Sequence, residues 1–169
     1  MVDAAYLVTK ILHVTFASMW VGGGLLNLVV VQPALLKALP GTRQEAMGRL
    51  STPLFRYNAT VGGLVLASGL LLVSLHPYGW DGLTETPWGR LVLFALIVNI
   101  AVLYLAGTSV RATLKVMAKV ALAAKPGDEP PMNLRFLQTR LRFTTLLMNG
   151  LVLLVLFVMV FANALYAGP

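Results

Sequence analysis

The chain has 169 residues, 58% of them hydrophobic and only 11% charged, with a mean hydropathy of +0.81. A soluble domain carries about 25% charged residues, so a water-soluble globule is excluded. There is no cysteine, which removes disulfide frameworks, iron–sulfur clusters and thiolate metal sites and leaves His, Met and carboxylates as ligands for any metal.

Between flanking charges, Ile11 to Leu36, Tyr57 to Trp80, Leu91 to Val110 and Phe143 to Pro169 are uncharged. Each reaches the roughly 20 residues that cross a hydrocarbon core. The pattern predicts an all-α membrane protein, a four-transmembrane-helix bundle forming one domain over 1–169, with spans near 8–35, 57–76, 89–110 and 142–166. The N-terminal apolar run reads as the first span rather than a cleavable leader, being too long and lacking a basic start.

The first connector, Pro33 to Pro53, holds Pro40-Gly41, then a helical stretch from Arg43 to Leu50 that Thr52-Pro53 is expected to break. The loop from His76 to Arg90 is short, aromatic and turn-rich, and its Trp80 and Trp88 belong at headgroup level. After the third span, Arg111, Lys115 and Lys119 recur four apart, so that helix is expected to continue with a cationic stripe until Lys125-Pro126-Gly127 ends it. Arg49-Leu50 with Asn58 echo Arg140-Leu141 with Asn149, as two duplicated hairpins related by an axis along the membrane normal would.

The formal charge of +7 is unevenly placed. Lys37, Arg43, Arg49 and Arg56 lie between spans one and two, and seven further cations, from Arg111 to Arg142, between spans three and four. Lys10 and Arg90 share the other side with Asp3, Asp81 and Glu85. By the positive-inside rule both basic connectors are cytoplasmic, with both termini outside (N-out/C-out). This pattern suits a multi-pass protein of a bacterial cytoplasmic membrane, its cations set against anionic lipid rather than nucleic acid.

His13 and His76 are the only histidines. An ionisable ring within a membrane segment is a functional-site hypothesis by default. His13 is three residues past Lys10, hence about 4–5 Å below the interface, and His76 is five before Asp81. Both are expected in one leaflet, where a pair of imidazoles suits a haem iron or a soft metal. Below His13, at helical spacing, come Ala17, Trp20, Gly24 and Asn27; below His76, at intervals of seven, Gly69 and Gly62. Those glycines admit either a neighbouring helix or a flat macrocycle. Arg90 is either a snorkelling anchor or the partner of a haem propionate. His13 is either a ligand or a ring hydrogen-bonded to a carbonyl, Ser18 or Asn163. Met19 and Met159 are apolar filler or soft copper ligands. No span holds a pair of carboxylates, and there is no nucleotide-binding loop.

The stretch Ile11-Leu12-His13 to Trp20-Val21-Gly22-Gly23 resembles the first span of the copper-resistance protein D (CopD) family and its small membrane relatives, the HemJ-type protoporphyrinogen oxidases among them. Arg49-Leu50-Ser51-Thr52-Pro53, Gly62-Gly63, and Gly79-Trp80 followed by Thr86-Pro87-Trp88-Gly89-Arg90 extend the likeness over most of the chain. The HemJ-type branch implies haem bound at His13 and oxidation of a porphyrinogen; the copper-resistance branch implies copper uptake. The lysine of the HemJ-type third span is replaced by Arg90 or missing, and arginine cannot act as an amine base. The oxidase activity is therefore unmatched here.

Three readings follow. The first is a b-type haem redox protein using His13 and His76 as axial ligands, with Arg90, Trp20, Gly62 and Gly69 around the cofactor. Its expected partners are the bilayer, a quinone or membrane redox protein, and further copies of the chain. The second is a copper-handling protein using His13, His76, Met19 and Met159, and the third a cofactor-free accessory subunit.

Overall fold

A computed structural model of the chain describes residues 4–38, 40–123 and 132–166. Among them every regular element is helical. Helix α1 (Ala4–Leu26) passes through a π-helical turn, π1 (Asn27–Val31), into α2 (Gln32–Lys37). Helix α3 (Pro40–Leu75) is followed by the short α4 (Gly82–Glu85). Helix α5 (Pro87–Leu105) runs through a second π-helical turn, π2 (Ala106–Val110), into α6 (Arg111–Ala123), and α7 (Met132–Tyr166) completes the order. Ala4–Leu35, Thr52–Leu75, Pro87–Val116 and Phe136–Ala162 are long and apolar enough to cross a membrane, as the uncharged runs predict. The loop expected at Lys125 to Pro131 lies outside the described residues.

The surface supports the same class. Leu7, Val8, Ile11 and Val14 on α1, Ile97 and Tyr104 on α5, and Phe157 and Phe161 on α7 are all exposed. Contiguous apolar surface on that scale is incompatible with water and suits lipid. Hydroxyls in the spans are satisfied locally: Thr9 donates to the Ala5 carbonyl, Thr15 to Ile11 and Thr108 to Tyr104, each at 2.8 Å. That back-bonding lets a polar side chain sit in an apolar medium.

Pro53 does not end its helix as the sequence suggests, and Pro33 is accommodated within the first span. Pro53 lies inside α3, which continues unbroken to Leu75. A buried interior proline costs about 3 kcal/mol, but Arg49, whose carbonyl loses its partner, is on an exposed turn where water or headgroups reach it. Pro33 is likewise helical. The Gln32 N–H reaches back five residues to the Asn27 carbonyl, so the widened turn closes just before a residue that has no N–H to place.

The four long segments form a ring. α1 packs on α3 and α7, and α5 packs on α3 and α7, so α3 faces α7 across one diagonal and α1 faces α5 across the other. At the centre Trp20, Val61, Val65 and Val102 are buried, packed by Phe16, Val98, Met148 and Val152. At the loop end, Thr86 caps α5 by accepting the Gly89 N–H at 2.9 Å, and its own hydroxyl donates to the Gly82 carbonyl at 2.8 Å. Gly79 adopts φ +53, a left-handed turn that only glycine takes freely, and this returns the chain to α5.

Candidate functional site: a cavity lined by both histidines

Helices α1 and α3 run antiparallel with a seven-residue register. Tyr6 stands by His76, with ring centroids 6.1 Å apart. One heptad on, a Cβ at Gly69 would stand 3.2 Å from His13 Cε1; another heptad on, a Cβ at Gly62 would stand 3.1 Å from the Trp20 ring. The glycine row of α3 therefore receives the rings of α1. The close approach that the sequence left open between helix and macrocycle is made by His13 and Trp20.

That seating orients His13. Its Nδ1 lies 3.0 Å from Ser68 Oγ, and the Ser68 hydroxyl already donates to backbone carbonyls, Leu64 at 2.7 Å or Val65 at 3.1 Å. While that proton is given to a carbonyl, Nδ1 donates in the pair and Nε2 keeps the lone pair. In known metal sites an outer partner of this kind fixes the tautomer of a ligating histidine. Ser68 stands where Ser18 or Asn163 was anticipated. The only sequence signal was its place one residue before Gly69.

His76 follows the last turn of α3. Its ring stacks on Trp88 with centroids 4.0 Å apart and planes 15° from parallel, and Tyr78 lies 5.4 Å away. Its Nδ1 accepts the Tyr78 N–H at 3.4 Å, which leaves the hydrogen on Nε2. Partial burial lowers its pKa below the ordinary histidine value, so the ring is neutral at pH 7. In this arrangement His76 offers a donor, whereas His13 offers a lone pair.

Both histidines line one cavity of about 380 Å³ to which all four long segments contribute, within the roughly 300–1,000 Å³ of small-molecule and cofactor sites. Its walls are mainly Val, Leu and Ala, with Trp20 at the bundle centre and Trp88 near the loops. Polar groups are few: Lys10, His13, Ser18, His76 and Asn99 among them. Asn99 is 8% exposed and its Oδ1 has no hydrogen-bond partner. A buried amide oxygen left unpaired is uncommon and points to a donor brought by an occupant. The sequence reading passed over it, although it is the one amide in Leu91 to Leu105.

Other expected site residues fall elsewhere. Arg90 is exposed, its Nε donating to the Thr84 carbonyl at 3.3 Å, and it does not line the cavity; Lys10 is the cation that does. Met159 lines the cavity and Met19 does not. Met19 is exposed, its carbonyl accepting the Tyr57 hydroxyl at 2.8 Å. Among the described residues no three His, Cys, Asp or Glu side chains gather as a metal cluster. A cofactor that carries its own equatorial ligands and takes one imidazole fits these donors.

A second cavity of about 170 Å³ lies on the other side of Trp20, Val102 and Val152, which line both. Comparison of the chain with family models, with curated proteins and with solved structures returned no match.

Proposed function

We propose that this is a multi-pass membrane redox protein that holds b-type haem in the larger cavity, with His13 Nε2 as axial ligand. The observation that carries this reading is the Nδ1 contact with Ser68 Oγ at 3.0 Å, which presents a neutral, pre-oriented imidazole lone pair at membrane depth. When bound, haem supplies a one-electron couple. The protein's own residues do the rest. Ser68 holds the tautomer, Gly69 gives the ring its seat, and the apolar walls exclude water. Lys10 lines the site as a positive charge for a carboxylate. His76, stacked on Trp88, is in reach of the same cavity but as a hydrogen-bond donor, so the reading rests on one protein ligand. The matching redox partner is a quinone or another membrane protein.

The topology belongs to the proposal: both termini outside and both basic connectors in the cytoplasm, as the charge asymmetry favours. Because the chain has no cysteine, single substitutions report sidedness directly. Thr84→Cys, in the His76–Arg90 loop, should react with a membrane-impermeant thiol reagent in intact cells, and Thr42→Cys only after lysis. The reverse pattern refutes the orientation.

The cofactor is tested by the visible spectrum of the detergent-purified protein before and after dithionite. Intense absorption that changes on reduction is expected, lost in His13→Ala and retained in His76→Phe. A protein that stays colourless after addition of haem overturns the assignment.

A further inference from the structure

The smaller cavity has a two-fold character that the larger one lacks. Asn58 on α3 and Asn149 on α7 both line it, from helices that stand diagonally across the bundle. Their local chemistry is the same: Asn58 Nδ2 donates to the Leu54 carbonyl and Asn149 Nδ2 to the Thr145 carbonyl, each 2.8 Å and four residues back. A backbone carbonyl can only accept, so each amide nitrogen is fixed there and each Oδ1 remains an acceptor. Leu50 pairs with Leu141 and Leu54 with Thr145 at the same sequence offset, and all four line the cavity. On the other diagonal, π1 contributes Asn27 while π2 contributes Ala106 and Val110. Such turns are rare and concentrate at functional sites. Gly24 leaves the space into which Asn149 Oδ1 reaches, since a Cβ there would collide with it.

Size and charge narrow the occupant. A cavity of about 150 Å³ admits benzene, so about 170 Å³ suits one six-membered ring with small substituents. Among the described residues no charged side chain lines it, which favours a neutral occupant. Two like acceptors on opposite walls ask for two like donors at opposite ends of that ring. We propose that the smaller cavity binds the head ring of a para-hydroquinone, its two hydroxyls donating to Asn58 Oδ1 and Asn149 Oδ1. Such a molecule partitions into the bilayer from which the site is reached. The site stands whether or not haem occupies the larger cavity.

The test is isothermal titration of the detergent-solubilised protein with a short-tailed alkyl para-hydroquinone, set against detergent alone and against the same molecule with both hydroxyls methylated. Stoichiometric binding is expected, with the dimethyl ether at least about tenfold weaker, because two buried hydrogen bonds are lost. Asn58→Leu and Asn149→Leu should each weaken binding about tenfold, whereas His13→Ala leaves it unchanged. Equal affinity for the ether, no binding at all, or loss in His13→Ala with retention in both asparagine variants each overturns the proposal. The ether comparison uses the unaltered chain, so it holds even if the variants fold poorly.

Discussion

The His13 ring occupies the space a side chain at position 69 would fill, with Gly69 leaving only 3.2 Å between a would-be Cβ and His13 Cε1. The same heptad step sets Trp20 over Gly62 and Tyr6 beside His76. One antiparallel helix pair thus fixes the depth and the facing of both histidines. The remaining helices add the walls, and Ser68, next to Gly69, sets the tautomer of the ring that the glycine seats.

Gly69→Ala should therefore differ in sign from Gly63→Ala, six residues nearer the N-terminus of the same helix. At Gly69 the added methyl presses on the imidazole, and overpacking of this kind costs about 1–3 kcal/mol. At Gly63 nothing lies within 4 Å, and replacing a helical glycine gains about 0.5–1 kcal/mol. Thermal unfolding in detergent should show a lower midpoint for the first and an equal or higher one for the second. A Gly69→Ala chain as stable as the unaltered one would mean that the ring is not seated there.

Ser68→Ala removes the acceptor for the His13 Nδ1–H while keeping the helix. Loss of such an outer partner weakens metal affinity about 10–100-fold. Haem titration into the apo-protein should show that weakening with little change in α-helical circular dichroism. Undiminished affinity would mean that the hydroxyl does not orient the ring.

The spans were legible because length and apolarity alone define a membrane helix, and the charge flanking them marked their ends to within a turn or two. Pro53 misled because the breaker rule assumes a helix in water with fixed four-residue bonding. At Pro33 a π turn absorbs the missing donor, and at Pro53 an exposed carbonyl does. His13, His76, Trp20, Gly62 and Gly69 could be grouped from spacing, since each repeats on one helical face. Ser68 and Asn99 could not, because their roles depend on which helix packs against which, and a lone small polar residue in an apolar run carries no periodicity. Depth alone set Arg90 near the histidines, and its bond to the Thr84 carbonyl could not be read from the sequence.

Asn99→Leu tests the unpaired acceptor on the α5 wall. In the ligand-free protein its buried Oδ1 is unsatisfied, and such a group costs about 1–3 kcal/mol. Replacing it with an apolar residue of similar size should raise the unfolding midpoint of the empty protein and lower the affinity for the occupant. A destabilised, ligand-free Asn99→Leu would mean that the oxygen already has a donor, such as an internal water.

His76 lies one residue past the membrane-spanning part of α3, where solvent pH acts on it. Burial against its aromatic neighbours holds its pKa below the ordinary 6.5, so the fold favours the neutral ring. Between the folded value and 6.5 the unfolded chain binds more protons than the folded one. Stability is therefore complete above that window, falls as acid is added through it, and levels off below the folded value. The ring is only partly buried, so solvent screening keeps the effect small. Unfolding midpoints between about pH 7.5 and about pH 5 should decline more in the unaltered chain than in His76→Gln. Identical declines would assign the acid sensitivity to another group and leave the stacked histidine with no part in it.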